Sequence, residues 1–289
     1  MAASAEESGT LYVCAVPIGN LEDASPRVRR VLASVDAIAC EDTRTTGRLL
    51  DLLGVEPKPR LLAHHEHNER ASSEGLLALL QDGQHVALVS DAGTPGVRDP
   101  GVALVDRALG AGIRVEAVAG PSAVTAALSI AGIEADGFRF VGFFPRKASE
   151  LAAVASAGAQ ELLVGFESPN RVVATLRGVA ALQPSRYVVV TRELTKQHEE
   201  VLRGTAAAIA DVLDARAGVK GEFVVLLAPM VAPERLADPR SLELVQVLAE
   251  QGVRLKDATR IAAEFLGGTP RELYDAANAA RDEADATDA

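Results

Sequence analysis

The fold is decided by the stretch Val86-Ala87-Leu88-Val89-Ser90-Asp91-Ala92-Gly93-Thr94-Pro95-Gly96-Val97-Arg98-Asp99-Pro100-Gly101, in which an apolar run passes directly into a glycine- and proline-rich loop. The run predicts a buried strand, and the loop places bare backbone at the carboxyl edge of a sheet, where open α/β folds bind ligands. The loop lacks the Lys-Ser/Thr ending of a P-loop and the glycine spacing of a Rossmann fingerprint, so we expect neither a nucleoside triphosphate nor NAD. A tight turn with capping aspartates is the alternative, and Asp99 is expected to cap the next helix.

The same alternation of short apolar runs and helical patterns continues along the first 230 residues, which predicts an α/β fold with mainly parallel strands. The pattern occurs twice, so we expect two α/β domains, residues 1–121 and 122–230, with a boundary near Gly120-Pro121. The candidate strands are Leu11–Val16, Ala37–Ala39, Arg60–Ala63, Val86–Val89, Arg114–Ala117, Phe138–Gly142, Leu162–Phe166, Tyr187–Val190 and Phe223–Leu227.

Residues 231–289 are predicted to form a linker and a small helical piece. Three helices are expected at Leu242–Gln251, Leu255–Leu266 and Pro270–Ala280, with Gly267-Gly268 as a turn. The pattern is that of a helix-turn-helix that contacts nucleic acid, but a helical cap that only packs on a domain has the same pattern.

Composition narrows the class of protein. The chain has 289 residues, 48% of them hydrophobic, and it contains no apolar stretch near the roughly 20 residues of a membrane helix. Its start is small and acidic rather than a signal peptide, so we expect a cytoplasmic protein without a membrane partner. Cys14 and Cys40 each lie in an apolar run, which favours reduced, buried thiols over a disulfide.

The net charge of −11 argues at first against a nucleic-acid partner. However, the acidic ends of the chain account for −5 of it, and basic residues cluster locally. These clusters are Arg27, Arg29, Arg30, Arg44 and Arg48, and separately Arg146-Lys147. A basic surface on an acidic protein therefore remains open, beside the alternative of solvated helix faces.

Polar, turn-prone segments follow six of the candidate strands, which predicts one cleft lined by loops from both halves. The chain has no Gly-x-Ser-x-Gly elbow, so we expect no serine nucleophile. The run His64-His65-Glu66-His67 lacks a second ligand group at zinc-site spacing, so we expect no metal. A reaction that depends mainly on positioning of ligands fits these residues better.

Taken together, these loops resemble those of the ribosomal RNA small subunit methyltransferase I family, a branch of the tetrapyrrole methylase superfamily. The matching segments are Val16–Leu21, Glu41–Arg44, Ser90–Gly96, Gly120–Ala123, Glu167–Pro169 with Arg171, and Arg192–Lys196. The resemblance runs in order from Leu11 to Ala228, and the helical tail is similar as well. At two positions the chain departs from the family pattern: Ala119 replaces a proline, and Arg98 stands where a small polar residue is more usual and could add a phosphate contact.

The resemblance implies an S-adenosylmethionine-dependent enzyme that methylates the ribose 2′-hydroxyl of a cytidine in 16S rRNA near the decoding centre. It also implies two α/β/α domains with the cofactor between them, and a homodimer. Carried over by motif, the cofactor residues are Pro17, Asp91, Ala92, Gly93, Ser122, Ala123, Phe166, Glu193, Gly221, Glu222 and Phe223.

A 2′-hydroxyl is a weak acid and would benefit from a general base, for which Asp42 and Glu193 are the candidates. Each could instead be a structural partner of Arg44 or Arg192. The candidates for contacts with RNA phosphates are Arg27, Arg44, Arg146, Lys147, Arg171, Arg192 and Lys196.

Two alternatives remain at this point. One is a methyltransferase of the same fold that acts on a tetrapyrrole, although seven Phe and three Tyr offer a macrocycle little aromatic surface. The other is a catalytically silent module that binds the cofactor or RNA.

Overall fold

The computed structural model describes residues 8–230, 240–266 and 269–287, with side chains up to residue 278. Contacts divide the chain into two units, Met1–Pro229 and Met230–Ala289. The linker is predicted at Pro229–Pro239, and all of it after residue 230 lies outside the described residues, as does the predicted turn at Gly267-Gly268. The division of the first unit near Gly120-Pro121 falls between its two sheets and stays a proposal.

The first sheet of unit 1 is entirely parallel, as predicted, in the order β3-β2-β4-β1-β5. Its inner strands β2 and β4 are buried along their full length, as expected for parallel strands covered on both faces. One face packs on α1 and α2, and the other on α3 and α4. The strands are β1 (Thr10–Cys14), β2 (Ala37–Cys40), β3 (Arg60–Ala63), β4 (Val86–Val89) and β5 (Arg114–Val118), and the helices are α1 (Pro26–Ser34), α2 (Thr43–Leu53), α3 (Glu69–Gln81) and α4 (Val102–Gly110).

Local sequence signals explain where the first two helices begin and end. Ser25 accepts a hydrogen bond from the Val28 amide at 3.1 Å, and Pro26 occupies the first helical position of α1. Gly54, at a φ of 68°, ends α2 in the left-handed conformation that glycine adopts without strain. Both helix ends therefore follow from residues that can be recognised in the sequence.

The second sheet has the order β6-β7-β10-β8-β9 and departs from the expected parallel arrangement. Only β6 and β7 are parallel, while the other three pairs are antiparallel. Strand β9 was missed, because its sequence is half polar and it lies at the sheet edge after a short connection from β8. The strands are β6 (Phe138–Phe143), β7 (Leu162–Glu167), β8 (Tyr187–Arg192), β9 (Glu200–Thr205) and β10 (Phe223–Leu227).

Helices cover both faces of this sheet as well, so each half of unit 1 has α/β/α layers, as expected. On one face lie α6 (Ala148–Ala157), α7 (Val172–Leu182) and α8 (Ala206–Asp214). On the other lies α5 (Ala123–Ala131), whose apolar cluster includes Ile18 from the loop after β1. This shared cluster joins the loops of the first sheet to the second sheet.

A buried arginine connects β10 to the end of α6 at one edge of the second sheet. Arg186 is 1% exposed, and its guanidinium donates to the carbonyl oxygens of residues at the end of α6 and the end of β10. Its hydrogen bonds go to Ala155 O (3.2 Å), Gly158 O (2.8 Å), Glu161 O (3.0 Å), Leu227 O (3.3 Å), Ala228 O (2.7 Å) and Gln183 Oε1 (2.9 Å). Burial lowers its pKa to about 10, so the guanidinium is still charged at neutral pH, and the negative end of the α6 dipole stabilises this charge.

Unit 2 is a bundle of three helices that begin at or near the predicted positions, although the last one continues past the predicted end at Ala280. These are α9 (Arg240–Glu250), α10 (Leu255–Leu266) and α11 (Pro270–Thr287), which pack around Val245 and Ala262. A capping box begins α11: Glu272 accepts from the Thr269 amide at 3.1 Å, and the Thr269 hydroxyl accepts from the Glu272 amide at 3.2 Å. None of the described helices is both long and apolar enough to cross a membrane.

Candidate active site

The loops that follow β1, β4 and β5 are joined by hydrogen bonds. Val16 and Gly93 exchange two backbone hydrogen bonds of 2.8 and 3.1 Å, and the Thr94 hydroxyl donates to the Pro121 carbonyl oxygen at 3.1 Å. Gly93 has a φ of 73°, which glycine adopts without strain. The glycine therefore allows the left-handed turn by which this loop reaches the loop after β1.

These loops and those of the second sheet enclose a cavity of about 400 Å³ within unit 1, a size typical of small-molecule sites. Its walls combine apolar side chains with a few polar groups. Most of the predicted cofactor residues line it, namely Ala92, Gly93, Ser122, Ala123, Phe166, Gly221, Glu222 and Phe223.

The other predicted cofactor residues, Pro17, Asp91 and Glu193, lie beside the cavity rather than in its wall. Pro17 precedes Ile18, which does line it. Asp91 accepts a hydrogen bond from the Asp42 amide at 3.1 Å and so joins the loop after β4 to the loop after β2. Its geometry is that of a residue that holds loops together.

Asp99 corrects an expectation from the sequence. It does not cap α4, whose N-cap is Gly101; the amides of Gly101 and Ala103 donate instead to Glu69 Oε1, at 2.8 and 3.2 Å. Asp99 is half-buried in the cavity wall. Burial, and then the negative charges of Glu41 and Asp91, raise its pKa to about 6.

Glu167 is a buried cavity residue to which the sequence analysis assigned no role, although it lies in a segment that matches the family. Its carboxylate accepts from Thr175 Oγ1 at 2.6 Å and from the Ser168 amide at 2.8 Å, and it pairs with Arg171 at 3.2 Å. Arg171 also donates to the Phe144 carbonyl oxygen at 2.7 Å. The guanidinium of Arg171, predicted to contact RNA, is therefore engaged inside the protein.

The two candidate bases are both engaged in ion pairs outside the cavity. Asp42 caps α2, and its hydrogen bonds from the side chain and amide of Arg44 hold its pKa below the usual range. Glu193 accepts from Lys196 Nζ at 2.9 Å and from the Glu222 amide at 3.0 Å, which lowers its pKa as well. A lowered pKa makes a weak base, so this geometry favours the structural alternative for both.

The remaining predicted RNA contacts differ in how far they are free to reach a partner. Arg27 pairs with Glu116 at 3.0 Å, and Arg192 donates to the Lys220 carbonyl oxygen at 2.6 Å. Lys196 lies against Gly19 and pairs with Glu193 and Glu222. The exposed ones are Arg27, Arg44, which pairs with Asp42, Lys147, which pairs with Glu150, and Arg146.

In the histidine loop, His64 points into the protein, whereas Glu66 and His67 are exposed. His64 is buried, its Nδ1 lies 2.7 Å from Ser72 Oγ, and burial lowers its pKa. Among the residues that the structure describes, no three His, Cys, Asp or Glu side chains are placed to hold a metal ion.

Comparisons with known proteins agree on the family. The family "Tetrapyrrole (Corrin/Porphyrin) Methylases" matches residues 10–210. Proteins named ribosomal RNA small subunit methyltransferase I are 40% identical in Neisseria meningitidis (93% of each chain covered), 42% in Escherichia coli O157:H7 (94% of this chain and 96% of the relative) and 40% in Mycobacterium tuberculosis (93% and 94%).

Solved structures show the same fold at low sequence identity. Diphthine synthase superposes with a TM-score of 0.60 at 16% identity, covering 76% of this chain and 90% of that one. Uroporphyrin-III-C-methyltransferase from Thermus thermophilus superposes with a TM-score of 0.55 at 21% identity, covering 77% and 96%. The chain is a methyltransferase that belongs to the tetrapyrrole methylase family and, within it, to the ribosomal RNA small subunit methyltransferase I family.

Proposed function

We propose that this methyltransferase transfers the methyl group of S-adenosylmethionine to the ribose 2′-hydroxyl of a cytidine in 16S rRNA near the decoding centre. The observation that carries the proposal is the cavity between the loops of the two sheets, which has a half-buried carboxylate, a free helix N-terminus and apolar walls. The names of relatives at about 40% identity support the choice of substrate.

The cavity residues fit a cofactor that carries both a cationic and an anionic end. Asp99 offers a negative charge in a half-buried position, which suits an ammonium or sulfonium group. Ser122 precedes α5 without capping it, so its hydroxyl and the first amides of the helix are available to a carboxylate. When bound, the cofactor supplies an activated methyl group.

The protein's own contribution is mainly alignment and exclusion of water. Methyl transfer is an in-line displacement, so holding the donor and the hydroxyl in register supplies much of the rate increase. Phe166 forms part of the apolar wall and is itself fixed edge-to-face by Phe140, with ring centroids 5.0 Å apart. The ion pairs of Asp42 and Glu193 hold the surrounding loops in place.

The test is methylation of small ribosomal subunits from a strain that lacks this modification, with labelled S-adenosylmethionine. We expect label in a 2′-O-methyl linkage that resists nuclease, and no label on subunits that already carry the modification. Assaying naked 16S rRNA in parallel shows whether the assembled subunit is needed. Label on a precorrin instead would move the function to a tetrapyrrole substrate, and no transfer to either would favour a silent binding module.

We also propose that the protein works in the cytoplasm, where ribosomal subunits are assembled, and as a homodimer. Sedimentation at several protein concentrations tests the second point, since a dimer has twice the mass of the 289-residue chain. A mass equal to one chain at all concentrations would contradict it.

A further inference from the structure

An arginine and a phenylalanine from opposite sheets meet at the wall of the cavity. Arg98, in the loop after β4, places its guanidinium carbon 6.0 Å from the ring centroid of Phe143, the last residue of β6. Both side chains line the cavity and both are exposed, Phe143 by 47%.

The backbone at two positions brings this pair together. Arg98 has a φ of 70°, which is uncommon for a residue with a side chain. Gly142, with a φ of 71°, leaves room for it, since a Cβ at that position would lie 2.8 Å from Arg98 Cδ. A change in the backbone angles at either residue would therefore move the arginine away from the ring.

A β-bulge directs Phe143 to this place. In a regular strand, Phe140 and Phe143 would lie on opposite faces, because side chains alternate. The register between β6 and β7 shifts between these two residues, so both rings contact Phe166, with centroids 5.0 and 5.7 Å apart. Bulges commonly re-aim a side chain beside an active site.

The charge of Arg98 is available to a ligand. Within the described residues it forms no ion pair or hydrogen bond, although its charge acts on neighbouring Asp99. Like-charge repulsion disfavours the cationic end of the cofactor as its partner, and the proposed place of the cofactor's carboxylate is the N-terminus of α5. A phosphate, which a guanidinium binds through two parallel hydrogen bonds, is the remaining anion of the reaction.

Aromatic rings are scarce in this protein, which makes their position informative. The whole chain has seven Phe, three Tyr and no Trp, yet Phe143, Phe166 and Phe223 all line the one cavity described above. Phe166 and Phe223 are more buried, whereas Phe143 presents its ring to solvent. An exposed ring beside an unpaired arginine is how proteins bind unpaired nucleotides.

We propose that Arg98 and Phe143 form a nucleotide subsite at the mouth of the cavity, where the ring stacks on a base of the substrate RNA and the guanidinium binds the adjacent phosphate. This inference rests on the proposed function and deepens it, because it assigns the two groups that hold the RNA next to the methyl donor. Both are positioning residues for the methyl transfer.

The test compares Arg98→Ala, Arg98→Lys and Phe143→Leu with Arg114→Ala, a control that removes an exposed arginine from the opposite end of the first sheet. RNA affinity is measured with a single-stranded 16S fragment over a range of salt concentrations. KM and kcat are measured with small subunits as substrate, and cofactor affinity is measured by calorimetry. For Arg98→Ala we expect KM about tenfold higher and a salt slope smaller by about 0.7 to 0.9, with cofactor affinity unchanged.

The other variants separate charge from stacking. Arg98→Lys keeps a point charge and should retain the salt slope, whereas Phe143→Leu should weaken RNA binding by about fivefold or more without changing that slope. The control should match the wild type in RNA affinity, KM and cofactor affinity.

Two outcomes would overturn the subsite. One is an unchanged KM and salt slope in Arg98→Ala. The other is a loss of cofactor affinity with RNA binding intact, which would assign the pair to the cofactor. Failure of the wild type to methylate subunits would overturn the proposed function instead, and the direct RNA-binding measurement still decides the subsite.

Discussion

Asp99 shows how a single residue's role depends on neighbours that are distant in sequence. Next to Pro100-Gly101 it has the local pattern of a helix cap, but the cap is provided by Glu69 from α3. Asp99 is thereby left in the cavity wall, close to Glu41 and Asp91. Nothing in its own segment of sequence signals this exchange of roles.

The raised pKa of Asp99 predicts how cofactor binding depends on pH. If the ionised carboxylate binds the cofactor's cationic end, affinity should rise as the pH increases through about 6 and level off above it. At pH 5 we expect affinity about tenfold weaker than at pH 7.5, because only about a tenth of the carboxylate is ionised.

Calorimetry on Asp99→Asn provides the control, since the amide cannot ionise and should give weak, pH-independent binding. A wild-type affinity that stays flat between pH 5 and 7.5 would contradict the assignment. Because the folded pKa lies above the usual value for Asp, this ionisation also opposes folding as the pH rises through about 6, so Asp99→Asn should not be less stable than the wild type at pH 8.

Substitution of Arg186 should lower the stability of the protein strongly and leave the cavity residues unchanged. Arg186→Met leaves buried carbonyl oxygens without a donor and should lower the free energy of unfolding by about 3 to 5 kcal/mol. Arg177→Ala, which removes an exposed ion pair with Asp211, should cost less than about 1 kcal/mol. Urea denaturation measures both, and equal losses in the two variants would refute the connecting role of Arg186.

Among the structural elements, the loop after β8 is the most strained. Glu193 and Thr195 have φ angles of 52° and 64°, and the loop is held against Gly221, which precedes β10 with a φ of 106°. The hydrogen bonds from Lys196 and the Glu222 amide to Glu193 stabilise this conformation.

Gly221→Ala should therefore disturb the cavity through this loop. The new Cβ would lie 2.7 Å from Glu193 Cγ, on a backbone that disfavours side chains, so we expect cofactor affinity to fall roughly tenfold. Gly218→Ala has similar backbone strain, with a φ of 141°, but no atom within 4 Å of the Cβ. If both variants lose the same cofactor affinity by calorimetry, strain rather than the clash with Glu193 is responsible.

The elements themselves were largely predictable, because apolar runs and helix caps are local signals. The parallel first sheet and the ends of α1 and α2 follow from such signals. The antiparallel pairing of β10 between β7 and β8 does not, since a fully apolar strand reads the same in either direction.

At the scale of the whole molecule, every residue of the cavity wall lies between Ile18 and Val224, inside the first unit. That unit has its own apolar cores, and the helices of Met230–Ala289 have another. We predict that a chain ending at Pro229 folds and binds S-adenosylmethionine with the affinity of the full chain. Circular dichroism and calorimetry check this, and a loss of cofactor binding in a folded truncated chain would show that unit 2 contributes to the site.

Most residues of the cavity wall could be predicted from the sequence, because they lie in or beside the segments that carry the family resemblance, such as Ser122-Ala123 and Gly221–Phe223. It could not show which charged groups are already paired, because that depends on contacts across the fold. Arg171 and Lys196 are already paired with carboxylates, while Arg98, for which the sequence suggested a phosphate contact, is exposed at the cavity.

In the second sheet, the hydrogen bonds of Arg186 and the cavity lie at opposite ends of the strands. Arg186 lies where β10 finishes and β8 starts, whereas the cavity lies where β8 finishes and β10 starts. Mutations accepted at one end therefore need not be compensated at the other. Evolution or protein engineering could therefore replace the loops that face the substrate with loops suited to another methyl acceptor, without loss of stability. This is one physical reason why enzymes with differently named substrates share this fold.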